Sequence, residues 1–328
     1  MNARLIATLI AIWLVATLAA IAWGSVPLDL GRVLAALGGL GSEGDRIVIW
    51  QIRLPRALTA ALVGAALGMS GAALQGLLRN PLAEPGVLGV SASAALAATT
   101  VLYLGLATYH PLILPAAAIA GALAATFIVA IAAFRTRSVV TLILIGVGIS
   151  SFAAALMALM MNLAPNPFSL ADMVDWMLGS VANRSLADIA RSGPFLAVGI
   201  LIMLISRRGL AALSLGEEAA EGIGLDLKRQ RLLVIMGAGL ATGAAVALAG
   251  TIGFVGIVAP HLIRPAVRHD PARLLIPAAL LGAIILVVAD IGVRLLPTDT
   301  ELKLGVVAAL VGAPIFISIA ARRRRVGT

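Results

Sequence analysis

Apolar residues run along this chain in long blocks, separated by short polar or glycine- and proline-rich segments. Nine such blocks stand at about 5–23, 57–78, 86–107, 111–134, 139–164, 189–206, 232–263, 274–296 and 304–321. A helix needs ~20 predominantly apolar residues to cross ~30 Å of hydrocarbon, so most blocks predict one transmembrane helix each. The first block resembles a signal peptide, with Arg4 ahead of it and Ala20-Ile21-Ala22 near its end. Its 19 uncharged residues exceed the ~7–15 of a signal h-region, and it is read as the first span. The block at 232–263 is too long: 32 residues make a helix of ~48 Å at ~1.5 Å per residue. Gly250, Gly253 and Gly256 interrupt it, predicting a full helix at 232–249 and a short one at 252–263. The short one cannot cross alone and must end inside protein or beside a cavity.

Small residues recur every four positions at Gly64, Gly68 and Ala72, at Gly239 and Gly243, and at Gly146 and Ser150. That spacing lets helix backbones approach closely. Two segments are not membrane-spanning. The first, 24–56, carries Pro27, several glycines and then Arg53 and Arg56 ahead of the second span. The second, 207–231, is polar, acidic at its centre and basic at both flanks. It predicts one or two short helices at the cytoplasmic surface.

Composition sharpens this picture. The chain has 328 residues, 61% hydrophobic and 12% charged, where soluble domains carry ~25% charged residues. A soluble fold and disorder are excluded. Cysteine is absent, which removes disulfides and thiol chemistry. The net charge of +9 reflects membrane topology rather than nucleic-acid binding. With ten crossings, sixteen of the 24 basic residues fall on the inner side, among them Arg4, Arg79, Arg207, Arg208 and Arg322–Arg325. Both termini are then cytoplasmic by the positive-inside rule. The expectation is an all-α polytopic membrane protein, one transmembrane domain over 1–328, with about ten spans, one of them half-spanning.

Enzyme signatures are missing. The chain has no phosphate-binding Gly-x-x-x-x-Gly-Lys-[Ser/Thr], no His-Glu-x-x-His and no Gly-x-Ser-x-Gly. Asp290 is the exception among charges inside spans. An intramembrane carboxylate is a functional candidate by default. Arg294, four residues on, makes a structural ion pair the stronger reading. His261 is read as a packing histidine. Arg53 and Arg56 run against the charge rule on the outer side, and composition leaves lipid anchoring and a functional role open.

Several runs carry a resemblance. They are Arg53-Leu54-Pro55-Arg56, Arg79-Asn80-Pro81-Leu82-Ala83-Glu84-Pro85, Trp176-Met177-Leu178-Gly179-Ser180 and Leu215-Gly216-Glu217. Gly253-Phe254-Val255-Gly256, Pro260-His261 with Arg264, and Gly312-Ala313-Pro314 follow. In order and spacing the chain resembles the FecCD-like permeases of bacterial ATP-binding-cassette importers for ferric siderophores, haem and cobalamin. The resemblance implies a homodimer in the inner membrane, two separate ATPase subunits and an outer substrate-binding protein. ATP and Mg then belong to the ATPase, and no cofactor or metal is expected here. Arg53, Arg56 and Arg294 match positions that dock the binding protein. Leu215, Gly216, Glu217, Ala219, Ala220, Gly222 and Gly224 match the coupling segment on the ATPase. The fifth span, with Leu142, Gly146, Ser150, Met157 and Met161, matches the helix lining the path at the dimer axis. The cargo expected first is a ferric siderophore, then haem or cobalamin. The rival readings are an ion-coupled transporter using Asp290 and a polytopic membrane enzyme.

Overall fold

The computed structural model describes residues 3–24, 28–136, 138–296 and 301–323, with side chains to residue 318. Pro27, Arg137, Arg324 and Arg325 lie outside the described residues, as do the side chains of Arg322 and Arg323. All regular structure among the described residues is helical. The long helices are α1 (Ala3–Ala22), α4 (Leu54–Leu78), α6 (Ile113–Arg135), α7 (Val139–Asn162), α9 (Leu186–Ile205), α12 (Leu227–Ala249), α14 (Pro271–Leu295) and α15 (Leu304–Arg323). Shorter ones are α2 (Leu30–Leu37), α3 (Glu43–Ile47), α5 (Val90–Tyr103), α8 (Pro167–Leu178), α10 (Arg207–Leu213), α11 (Glu217–Gly222) and α13 (Val255–Ile263). Seven described helices are long and apolar enough to span, and three shorter apolar ones at Val90–Tyr103, Val255–Val267 and Leu304–Ser318 complete ten.

The core is built on α4 and α12. In their apolar windows 83% and 78% of residues are buried, against 17% for α7. The small-residue ladders explain why these helices sit innermost. Gly64 and Gly68 of α4 face the main chain of α14 at Gly282 and Ala278, so closely that an added Cβ would overlap a carbonyl. Gly71 meets Gly256 of α13 in the same way, and Gly239 and Gly243 of α12 meet Thr126 and Ala122 of α6.

The long block splits as expected, into α12 and α13. Gly250 takes φ +70, and its α-carbon lies against the Trp176 carbonyl, where a side chain would clash. Phe254 then starts α13 in the left-handed region at φ +66. With nine residues α13 rises only ~14 Å at ~1.5 Å per residue, so its start is buried among α4 and the 79–89 turn.

Two expectations need correction. The second span does not begin after Arg56: helix runs unbroken from Glu43 through a π-helical turn, Val48–Arg53, into α4. Pro55 reads as a break in sequence, yet the helix carries it directly after the π-helical turn, as α4 begins. Arg53 and Arg56 therefore stand within a helix. The other difference is α8, which hydropathy passed over because Asp172 and Asp175 interrupt its apolar residues. Asn166 as cap and Pro167 in its first turn are the start signal that could have found it.

Candidate functional site

Three places carry the sequence-predicted residues. The first is where α1, α4 and α14 meet. Arg56 of α4 reaches across to Asp290 of α14, Nε to Oδ1 at 2.9 Å and Nη2 to Oδ1 at 2.7 Å. Its Nη1 donates to Glu301 Oε2 at 3.2 Å, and Nη2 pairs with Glu301 Oε1. Arg294 Nη2 lies 3.2 Å from Asp290 Oδ2, so the expected Asp290–Arg294 ion pair is present. Arg294 Nη1 also donates to the carbonyls of Ala20 and Trp23, each at 2.9 Å. Arg53 Nη1 donates to those of Ile21 and Ala22, at 2.9 and 2.6 Å. The last carbonyls of α1 have no helical donors of their own, and its dipole leaves that end negative. Two guanidiniums supply the missing donors and the matching charge.

All three arginines are thus brought together, with their side chains turned inward. Arg53 and Arg56 are only 4% and 9% exposed, and Asp290 is fully buried. Glu301, with 42% of its side chain exposed, is the cluster's solvent-facing carboxylate. Sequence reading did not link Glu301 to Arg56, since 245 positions separate them and no periodicity connects them.

The second place is the α10–α11 segment, a pair of short helices as expected. Gly216 joins them at φ +109, a conformation other residues adopt only with strain. Ala220 is fully buried and Glu217 is held by Arg231 Nη2 at 2.8 Å, so one face of α11 packs on the bundle. Leu215 and Ile223 point outward, each 68% exposed. Ala219, Gly222 and Gly224 are exposed beside them.

The third is α7. Leu142, Gly146 and Met157 are buried, and Met161 is half-buried. Gly146 lies against the main chain of Val87 and Leu88, and Ser150 Oγ donates to the Gly86 carbonyl at 3.2 Å. Gly146 and Ser150 thus pack α7 onto the 85–89 turn. The opposite face of α7, with Val140, Leu144, Val147, Phe152 and Leu159, is uncovered. Behind the same turn, Glu84 is half-buried and accepts from the Phe254 main-chain N–H, at the start of α13. Glu84 was noted in sequence only as part of a motif.

The FecCD transport family matches residues 11–322. The chain belongs to that family. YvrB of Bacillus subtilis, an uncharacterized ABC transporter permease, is 40% identical over 88% of this chain and 84% of its own. BtuC of Salmonella typhi, named as a vitamin B12 import system permease, is 39% identical over 96% of this chain and 94% of its own. A solved transporter assigned to the metal-chelate ABC type, in an inward-facing conformation, superposes with TM-score 0.88 and 29% identity. It covers 98% of this chain, and all of that chain is matched. This FecCD chain is accordingly a membrane-spanning ABC-importer permease, with seven candidate spans and three shorter apolar helices among the described residues.

Proposed function

We propose that this permease works as a pair of identical chains in the bacterial inner membrane, with two ATPase subunits on the inner face and a substrate-binding protein on the outer one. The α10–α11 segment carries this reading. Two outward apolar residues, Leu215 and Ile223, flanking the short polar helix α11 suit a protein groove better than water. The chain also lacks a phosphate-binding loop, so ATP and Mg would sit on the partner. An even number of spans puts both termini on one side, and the charge distribution favours the cytoplasmic one. The uncovered face of α7 would meet the second copy and line the path between them. The cluster of Arg53, Arg56 and Arg294 would attract an acidic side chain of the binding protein at its open edge beside Glu301. Asp290 is bonded to two guanidiniums, which favours a structural role over proton transport.

The cargo is a bulky metal chelate. Relatives named for vitamin B12 import and for the metal-chelate type support that class; a ferric siderophore, haem and cobalamin are its members to test. The complex, reconstituted with its ATPase and binding protein, should show ATPase activity stimulated by one of these three and not by unrelated solutes. Stimulation by none of them, or import driven by an ion gradient without ATP, overturns the reading.

A further inference from the structure

Arg184, in the turn between α8 and α9, is not used by any of the sites above. Its guanidinium lies over the ring of Trp176, 5.4 Å from the centroid. Its Nε is buried without a hydrogen-bond partner. Asp188 offsets its charge through space. The oxygens of Asp188 are already taken, Oδ1 by Arg191 Nη1 at 2.7 Å and Oδ2 by the N–H and hydroxyl of Ser185 at 2.9 and 2.8 Å. Burial pulls Arg184 below the usual arginine range. An arginine does not give up its proton in a protein, so a desolvated guanidinium calls for an anion. Beside it is a cavity of about 80 Å³, with Arg191 and Ser192 on one side and Pro111, Leu114 and Pro115 on the other. Two arginines against one aspartate leave the pocket one positive charge in excess.

We propose that this cavity holds the phosphate of an anionic membrane phospholipid. The surroundings select lipid over a soluble partner, given that these helices span the bilayer. The pocket lies at the starts of α6 and α9. From Arg191 an exposed apolar stripe descends α9 at helical spacing, through Phe195, Val198 and Leu201. On α6, Phe127 and Ile131 are exposed likewise. Those faces take acyl chains, which places the arginines at headgroup level. The planar fork of a guanidinium matches two phosphate oxygens, and stacking on Trp176 pre-orients it. Arg184 and Arg191 are also two of the outer arginines that the positive-inside rule does not account for.

The test is phospholipid retention by the detergent-purified full chain, read by native mass spectrometry after equilibration with phosphatidylglycerol or phosphatidylcholine. Wild type should retain phosphatidylglycerol preferentially. Arg184→Gln should lower that retention about tenfold, as expected for losing a charge-assisted pair, and Arg191→Gln less. Arg184→Lys keeps the charge and should recover part of it, which separates a lost site from a misfolded chain. Equal retention by wild type and both glutamine variants overturns the proposal, as does equal retention of the two lipids. Inorganic phosphate raising the melting temperature as much as phosphatidylglycerol would make this a free-anion site and overturn the lipid assignment. Weaker binding-protein docking by Arg184→Gln with lipid retention unchanged would assign the pocket to a protein carboxylate and overturn it too.

Discussion

Asp290 is buried between Arg56 and Arg294 and is the one carboxylate that both guanidiniums share. Removing one member of a buried ion pair leaves the other charge uncompensated, at ~3–5 kcal/mol. Asp290→Ala should therefore lower the melting temperature of the purified permease markedly, and Asp290→Asn should do so less because it keeps an acceptor. An unchanged melting temperature in both variants would show that Glu301 and main-chain carbonyls suffice. Glu84 offers the opposite electrostatics. Burial pushes its carboxyl from an ordinary value of 4.5 up to about 7. The folded protein then holds a proton that the unfolded chain releases, so protonation stabilises fully below pH 4.5 and is lost as pH rises towards 7. Thermal unfolding at pH 5, 6, 7 and 8 should show stability falling over that window. Glu84→Gln, which cannot ionise, should flatten it; an identical slope in the variant would place the titrating group elsewhere. Of these residues, only the Asp290–Arg294 pair was legible, because four positions on a helix are neighbours by construction. Arg56 stands 234 positions from Asp290, a contact only the packed bundle creates.

Helices were more legible than side-chain networks. The spacing of Gly64 and Gly68 marks a face stripped for close approach, and Gly239 with Gly243 marks another. The sequence names the face without naming the partner; α14 and α6 come from the packing. The α12–α13 break was readable from length and glycine. The start of the second span was not, since a proline that ends most helices here sits where a π-turn passes into α4. At α11 the two faces predict different mutational outcomes. Ala220 is fully buried, so Ala220→Trp overpacks the bundle and should cost ~1–3 kcal/mol or prevent folding. Ala219 is exposed, so Ala219→Trp should leave the stability within ~0.5 kcal/mol of wild type. It should nevertheless weaken co-purification with the ATPase and reduce cargo-stimulated hydrolysis. Normal coupling in Ala219→Trp would move the ATPase contact away from α11.

At the scale of the whole molecule, charge is sorted between two ends of a bundle of ten apolar helices. One end carries α10 and α11 with Arg207, Arg208, Lys228 and Arg229; the other carries the arginine cluster on the end of α1. The cluster serves the fold first. Arg53 and Arg294 close the last turn of α1, so charge reversal there would disturb packing and docking together and separate neither. Glu301 gives a cleaner probe, because it is half-exposed and bonded through side chains alone. It occupies two donors of Arg56 that an incoming carboxylate would use. Glu301 sits at the solvent edge of the cluster, where charge pairs contribute ~0–1 kcal/mol each, so Glu301→Gln should tighten docking of the binding protein only a few-fold. Glu301→Lys sets a like charge beside Arg56 and should slow association as well as weaken it. Both effects should shrink as salt rises past ~0.15 M, where the Debye length is ~8 Å. The measurement is association and dissociation of the binding protein on the solubilised complex across a salt series. Identical rates for wild type and both variants at every salt concentration would leave the cluster to its structural work on α1 and take the dock elsewhere on the outer face.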